Sequence, residues 1–319
     1  MKEEVCFGVD IGGTSVKIGI FSMKGKLIDK WEIPTRTTER GKNILSDIAD
    51  SINESLKVKG IEKNQVTGVG LGVPGPVKED GTVLVCVNLG WGIFNVAKEL
   101  SELLSIPVKA ANDANVAALG EMWQGGGKGC MNIVMVTLGT GCGGGIILDG
   151  KIVAGTHGAA GEIGHAPALA EEDIIGVCGC GKRGCLEQIA SATGIAKMAT
   201  KYVDEFKMPG MLSGNNNISA KAVLDAAKKG DETAILVVEK MACYLGNSLA
   251  CICAVVDPEI IVIGGGVSKA GQYLIDTIQK HYKEKVFDAL KDIKFALAKL
   301  GNDAGIYGAA RMVATEADI

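Results

Sequence analysis

Residues 5–28, VCFGVDIGGTSVKIGIFSMKGKLI, read as an apolar strand, a glycine-rich turn, a returning strand and a second turn at Lys24-Gly25. Residues 133–153, IVMVTLGTGCGGGIILDGKIV, repeat that plan, with Asp149-Gly150 as the closing turn. Asp-Gly between two apolar runs is a strong hairpin signal. Each half of the chain is therefore expected to open on an antiparallel hairpin whose first turn is built of glycine. Working outward, helical patterns follow at 43–57, 93–105 and 112–123, then at about 191–206, 219–229, 232–254 and 268–285. Strands fit at 67–73, 83–86, 107–111, 259–264 and 293–298. Ser219 suits a helix N-cap and Gly230 a helix stop. Pro74-Gly75-Pro76 breaks the chain after the third strand, and Gly125–Gly129 loosens it between the halves. Two related halves of mixed strands and helices predict two α/β domains facing a cleft.

Composition agrees with that organisation. A chain of 319 residues suggests about two domains. Apolar residues make up 47% and charged residues 22%, ordinary values for a soluble globular protein. The net charge of -4 offers no basic field for nucleic acid or for an anionic membrane surface. Met1-Lys2-Glu3-Glu4 runs straight into a strand pattern rather than a signal-peptide core. The charge-free run between Lys240 and Asp257 falls short of the roughly 20 residues that span a bilayer, so it reads as a core helix. Cys6, Cys86, Cys130, Cys142, Cys243, Cys251 and Cys253 are scattered through apolar segments, where free cysteine behaves as a small hydrophobe. A chain this long needs no disulfide staples, and a reducing, cytoplasmic compartment is expected.

Four segments carry chemistry. Asp10-Ile11-Gly12-Gly13-Thr14 sits at a strand end and turns into Ser15-Val16-Lys17. Glycines let a backbone approach a ligand, consecutive amides can hold phosphate oxygens, and a neighbouring carboxylate suits Mg2+. Taken alone, this is also what a tight β-turn with a surface Asp looks like. The second turn, Leu138-Gly139-Thr140-Gly141-Cys142-Gly143-Gly144-Gly145, has more glycine than a turn requires. Two such turns, one per domain, are what a nucleoside triphosphate needs when it lies across a cleft. The apolar strand Glu259–Ile263 ends in Gly264-Gly265-Gly266, leaving room for a flat ring against the backbone. There is no Walker-type lysine motif, and Gly-Gly-Thr returns into a strand rather than a helix, which excludes a Rossmann fingerprint. Asn112-Asp113 ends a strand and starts a helix, where either residue could serve simply as an N-cap. His165, Cys178, Cys180 and Cys185 offer one imidazole and three thiolates, the set of a closed, structural Zn2+ site. Three buried thiols, or one disulfide with a spare cysteine, are the alternatives. Glycines flanking each cysteine expose the sulfurs instead of packing them, and this favours zinc.

Taken together, the segments resemble the ROK family of sugar kinases and regulators, of the actin-like ATPase superfamily, from Val5 to about Met312. The resemblance implies that Asp10, Gly12, Gly13, Thr14 and Lys17 form a first phosphate element and Gly139, Thr140 and Gly141 begin a second. Gly264, Gly265 and Gly266 would be the adenosine element. It assigns Asp113 the catalytic base, and Gly75, Asn112, Asp113, Glu162, His165 and Glu187 the sugar. A helix N-terminus lowers the basicity of a carboxylate at that position. A weak base suffices where the proton leaves late in a loose phosphoryl-transfer transition state. His165, Cys178, Cys180 and Cys185 match the family's zinc ligands, and His165 can serve zinc and sugar through its two ring nitrogens. Asn302–Ala310 resembles the helix that returns to the first domain. The domains are then expected at 1–113 plus 303–319 and at 114–302. The resemblance implies an ATP-dependent, Mg2+-requiring glucokinase and a homodimer or homotetramer. Asn88-Leu89-Gly90-Trp91, Asn112 to Glu121 and Cys185-Leu186-Glu187 resemble the glucokinase branch, with N-acetylmannosamine, N-acetylglucosamine or fructose as alternative substrates. A noncatalytic ROK sugar sensor or repressor is the alternative of another class. Such repressors carry a helix-turn-helix ahead of the first glycine turn, and only nine residues precede Asp10 here.

Overall fold

The computed structural model describes residues 3–205, 207–215 and 217–314. Met1, Lys2 and the 315–319 end of the expected first domain lie outside them. In chain order the elements begin with β1 (Val5–Ile11), β2 (Ser15–Ser22), β3 (Leu27–Pro34), a single turn α1 (Thr38–Gly41), α2 (Ile44–Lys59) and β4 (Val66–Val73). They continue with β5 (Thr82–Val83), β6 (Phe94–Asn95), α3 (Val96–Leu104), β7 (Val108–Asn112) and α4 (Asp113–Gln124). Next come β8 (Ile133–Leu138), β9 (Cys142–Leu148), β10 (Lys151–Ile152), α5 (Ala192–Asp204), α6 (Ala220–Lys228) and α7 (Glu232–Val256). β11 (Ile260–Gly264), α8 (Gln272–Lys285), β12 (Lys294–Leu297) and α9 (Ala304–Val313) complete them.

Contacts divide the chain into two compact units, Met1–Met131 with Gly145–Gly161 and Leu300–Ile319, and Asn132–Gly144 with Glu162–Lys299. In the first unit a five-stranded sheet has the order β3-β2-β1-β4-β7. β2 and β3 run antiparallel to their neighbours, and β4 and β7 are parallel to β1. Alternation along β1 layers the unit, because successive side chains of a strand point to opposite faces. Val5, Phe7, Val9 and Ile11 are buried in one cluster with Ile44, Ile48 and Ile52 of α2 and Leu100 and Leu104 of α3. Cys6 belongs to the opposite cluster, with Ile306 and Ala310 of α9. On that face Gly8 and Gly70 carry no side chain, and a Cβ at either would overlap a carbonyl oxygen of α9, from Ile306 or Ala309. α9 therefore lies directly on the strands. Gly120 and Gly308 bring α4 equally close to it, since a Cβ at Gly308 would overlap the Val116 carbonyl. This packing keeps α4 with the first unit, whereas the expected boundary ran between residues 113 and 114.

The second sheet has the order β10-β9-β8-β11-β12, with β8, β11 and β12 parallel and β9 antiparallel to β10. The last residues of β9 and all of β10 group with the first unit. Side chains of Ser191, Ser219 and Asp231 accept backbone N–H groups at the starts of α5, α6 and α7, as N-caps do. The 25-residue α7 has a mean hydropathy of 1.4 over its most apolar stretch and is long and apolar enough to cross a membrane by those measures alone. Val237, Val238, Met241, Leu245 and Leu249 are fully buried among α5, α6 and α8, so it is the core helix of this unit.

The third strand, β3, is an addition, because no element is expected from the sequence over residues 29–42. Its alternate half-buried and exposed side chains mark an edge strand. The helix expected from 268 begins instead as a 3-10 turn over Gly266–Ala270, and α8 starts at Gln272 after Gly271 takes a φ of 74°.

Candidate functional site

In the first unit, the β1–β2 turn is closed by the Gly12 amide donating to the Ser15 carbonyl at 2.9 Å. Thr35 clamps it from β3's end, its hydroxyl donating to the Gly12 carbonyl at 2.7 Å. No atom would obstruct a side chain at Gly13, so this corner is open. Asp10 lies just before the turn with its carboxylate against Gly305 in the first turn of α9, where no Cβ would fit. Burial pushes the Asp10 carboxyl up to about 6, the Asp113 charge adds to the rise, and Lys17 opposes it. Lys17 itself donates to the Asn302 carbonyl at 2.9 Å. Asp10, Lys17 and Asp113 thus share one electrostatic neighbourhood.

Asn112 is buried and caps α4, its Oδ1 accepting the Ala114 and Asn115 amides at 3.0 and 3.1 Å. Its Nδ2 donates to the Gly75 carbonyl at 3.1 Å. Gly75 has a φ of 97° and sits where a Cβ would meet the Val85 carbonyl. Asp113 Oδ1 accepts the Ala114 amide at 2.8 Å. The N-cap and the candidate catalytic pair therefore coincide, with Asn112 as the cap and Asp113 the first helical residue.

In the second unit, the Gly139–Gly141 turn is pinned by α5. The Ala192 amide donates to the Gly139 carbonyl and the Thr193 hydroxyl to the Thr140 carbonyl, both at 2.8 Å. Glu187 Oε2 accepts the Cys142 amide at 2.9 Å. His165 Nδ1 lies 3.6 Å from Cys178 Sγ, and Cys180 Sγ lies 3.6 Å from Cys185 Sγ. All four donor atoms fall within 4.8 Å of one another. Tetrahedral Zn2+ with bonds of about 2.0–2.3 Å sets its ligands roughly 3.5–3.8 Å apart, and a disulfide would need about 2.05 Å. The donor set fits zinc. His165 Nε2, on the other side of the ring, lies 4.0 Å from Glu162 Oε2.

At the end of β11, Gly265 takes a φ of 83° against the backbone of Leu138, and Gly266 opens on a cavity of 380 Å³. Ser219 at the head of α6, Lys221, Leu224 and Asp225 of α6, and Val267 and Lys269 are among its walls. The sequence reading found the glycines and not these α6 residues, for which Ser219's capping pattern was the only signal. Cys142 reads in the sequence as one of the scattered apolar cysteines. Burial, then the Glu187 charge, pushes that thiol up to about 12, and its contribution to the site is a backbone amide.

Residues 6–316 match the model of the ROK family. The chain belongs to the ROK family. It is 43% identical over 98% of its length to a glucokinase of Halalkalibacterium halodurans, covering 96% of that protein. It is similar to the crystal structure of a ROK family glucokinase from Streptomyces griseus in complex with glucose and AMPPNP, with a TM-score of 0.72 at 31% identity, over 97% of this chain and 98% of that one. It is also 29% identical to a xylose repressor of Caldicellulosiruptor bescii over 97% of this chain and 78% of that protein. This ROK protein combines two mixed five-stranded sheets with helices, the α/β fold of the actin-like ATPases.

Proposed function

We propose that this ROK protein is an ATP-dependent glucokinase that transfers the γ-phosphate of ATP to the 6-hydroxyl of glucose. The observation that carries the reading is Asp113, held at the head of α4 by Asn112 and sharing its electrostatic surroundings with Asp10 and Lys17. Asp113 accepts the proton of the sugar hydroxyl. Asn112, whose amide carries a second N–H beyond the one given to Gly75, binds the sugar with Gly75, Glu162, His165 and Glu187. Carboxylate acceptors suit a polyol, since each hydroxyl donates one hydrogen bond. Gly12, Gly13, Thr14 and Lys17 and the Gly139–Gly141 turn bind the phosphates, and the 380 Å³ cavity beside Gly264–Gly266 takes the adenosine. Asp10 would hold Mg2+, which neutralises charge on the phosphates when bound. His165, Cys178, Cys180 and Cys185 would hold a structural Zn2+ that orders the loop carrying Glu187.

The test has two arms. Turnover with Mg-ATP is measured for glucose, N-acetylmannosamine, N-acetylglucosamine and fructose in a coupled ADP assay, and glucose is expected to give the highest kcat/KM. Asp113→Asn is expected to keep sugar binding and lose about 10²–10⁴ in turnover, the range of a general base. Activity within threefold of wild type would remove Asp113 from that role. Sugar binding without any turnover in the wild-type protein would favour a sensor instead.

A further inference from the structure

Glu187 stands where three parts of the second unit meet. Its Oε1 lies 3.6 Å from Cys178 Sγ, and its Oε2 takes the Cys142 amide of the glycine turn. Its own carbonyl accepts the Ser191 hydroxyl at 2.7 Å, and Ser191 Oγ in turn caps α5 by accepting the Gly194 amide at 3.0 Å. The next residue along, Ala192, is bonded to the Gly139 carbonyl. Thr140, Cys178, Glu187, Ser191 and Thr193 then line one cavity of 160 Å³. The turn closes tightly on the carboxylate, because a Cβ at Gly141 would overlap Glu187 Oε2. Two positions away, a Cβ at Gly139 would meet nothing within 4 Å. Two glycines of one turn therefore do different things. Gly139 leaves space, and Gly141 makes room for a side chain that reaches in from residue 187.

We infer that Gly141 and the Cys142 amide are positioning residues for the sugar, so that the turn that cradles the nucleotide's phosphates also aims the carboxylate that receives the hexose. The inference rests on the kinase reading above and adds to it an energetic coupling between the two substrates. A phosphate drawn into the turn orders the Cys142 amide and with it Glu187. By linkage, the sugar raises nucleotide affinity by the same factor as the nucleotide raises sugar affinity. A hydrogen bond to a charged group carries enough free energy for that factor to reach about ten- to a hundredfold.

Glucose binding to nucleotide-free protein, and AMPPNP binding with and without glucose, are measured by calorimetry for wild type, Gly141→Ala and Gly139→Ala. Gly141→Ala is expected to weaken glucose binding about tenfold or more with no nucleotide present and to abolish the coupling. Gly139→Ala, in the same turn, is expected to leave glucose affinity within threefold of wild type. A purely nucleotide-binding turn would leave glucose affinity unchanged in both variants, and that result overturns the inference. Should Gly141→Ala fail to fold, Glu187→Asp takes its place. One methylene shorter, it loses reach to Cys142 and is expected to weaken AMPPNP binding to sugar-free protein, and unchanged AMPPNP affinity overturns the inference. A wild-type protein that binds neither ligand defeats the kinase reading, whereas one that phosphorylates glucose and binds the two substrates independently defeats only the coupling.

Discussion

Asp10 is held in the fold at a cost that its position makes unavoidable. Its carboxylate is pressed against Gly305 with Asp113 near, and its pKa is raised to about 6 from 3.8. Between those two values the folded protein keeps a proton that the unfolded chain has released. Stability therefore falls as pH rises through this window, and above it the buried, ionised Asp10 is a standing penalty. Asp10→Asn is expected to raise the stability of metal-free protein at pH 7.5 by about 1–3 kcal/mol and to change it little at pH 4. Thermal melts in a chelator at the two pH values read this directly, and a lower Tm for the variant at pH 7.5 would contradict it. On the kinase reading proposed above, phosphoryl transfer should be lost in the same variant, since the carboxylate that destabilises the fold would be the one that holds the cation.

Close packing without side chains is what unites β1, β4, α4 and α9. Gly70→Ala should cost about 1–3 kcal/mol or more in urea unfolding, because its Cβ meets the rigid Ala309 carbonyl rather than a side chain that can turn away. Gly72→Ala, two residues along on the same face, would make only ordinary contacts at 3.5 Å and should cost much less; equal losses would dismiss the close-approach account. How far each element can be read from sequence follows the same logic. The β1–β2 hairpin is legible, because an apolar run and a glycine turn are local signals. α7 is legible because the run between Lys240 and Asp257 carries no charge. β3 is not, since Asp29, Lys30 and Glu32 make it read as a charged link, and only pairing with β2 makes it a strand. The Cys/His cluster is legible because all four of its residues fall between 165 and 185. Gly305 beside Asp10, and α6 beside Gly266, are not, because each joins segments far apart in the chain by tertiary packing alone.

For the whole molecule, the Cys/His cluster gives the simplest measurement. Elemental analysis of protein purified without added metal should find one Zn2+ per chain. Cys180→Ser should lower the Tm and raise the KM for glucose more than that for ATP; a protein free of zinc with full activity would refute the assignment. The placement of α9 reaches further. Its residues come after the entire second unit, yet it lies on the glycine face of the first sheet and against α4. Once α4 is made, that face lacks α9 until the ribosome has added roughly 180 more residues, about ten to forty seconds at the usual rate. For that interval Gly8 and Gly70 of β1 and β4 lie without the helix that packs on them, a nascent chain's invitation to chaperones or to aggregation. The half of the protein that is made first is the half that is finished last.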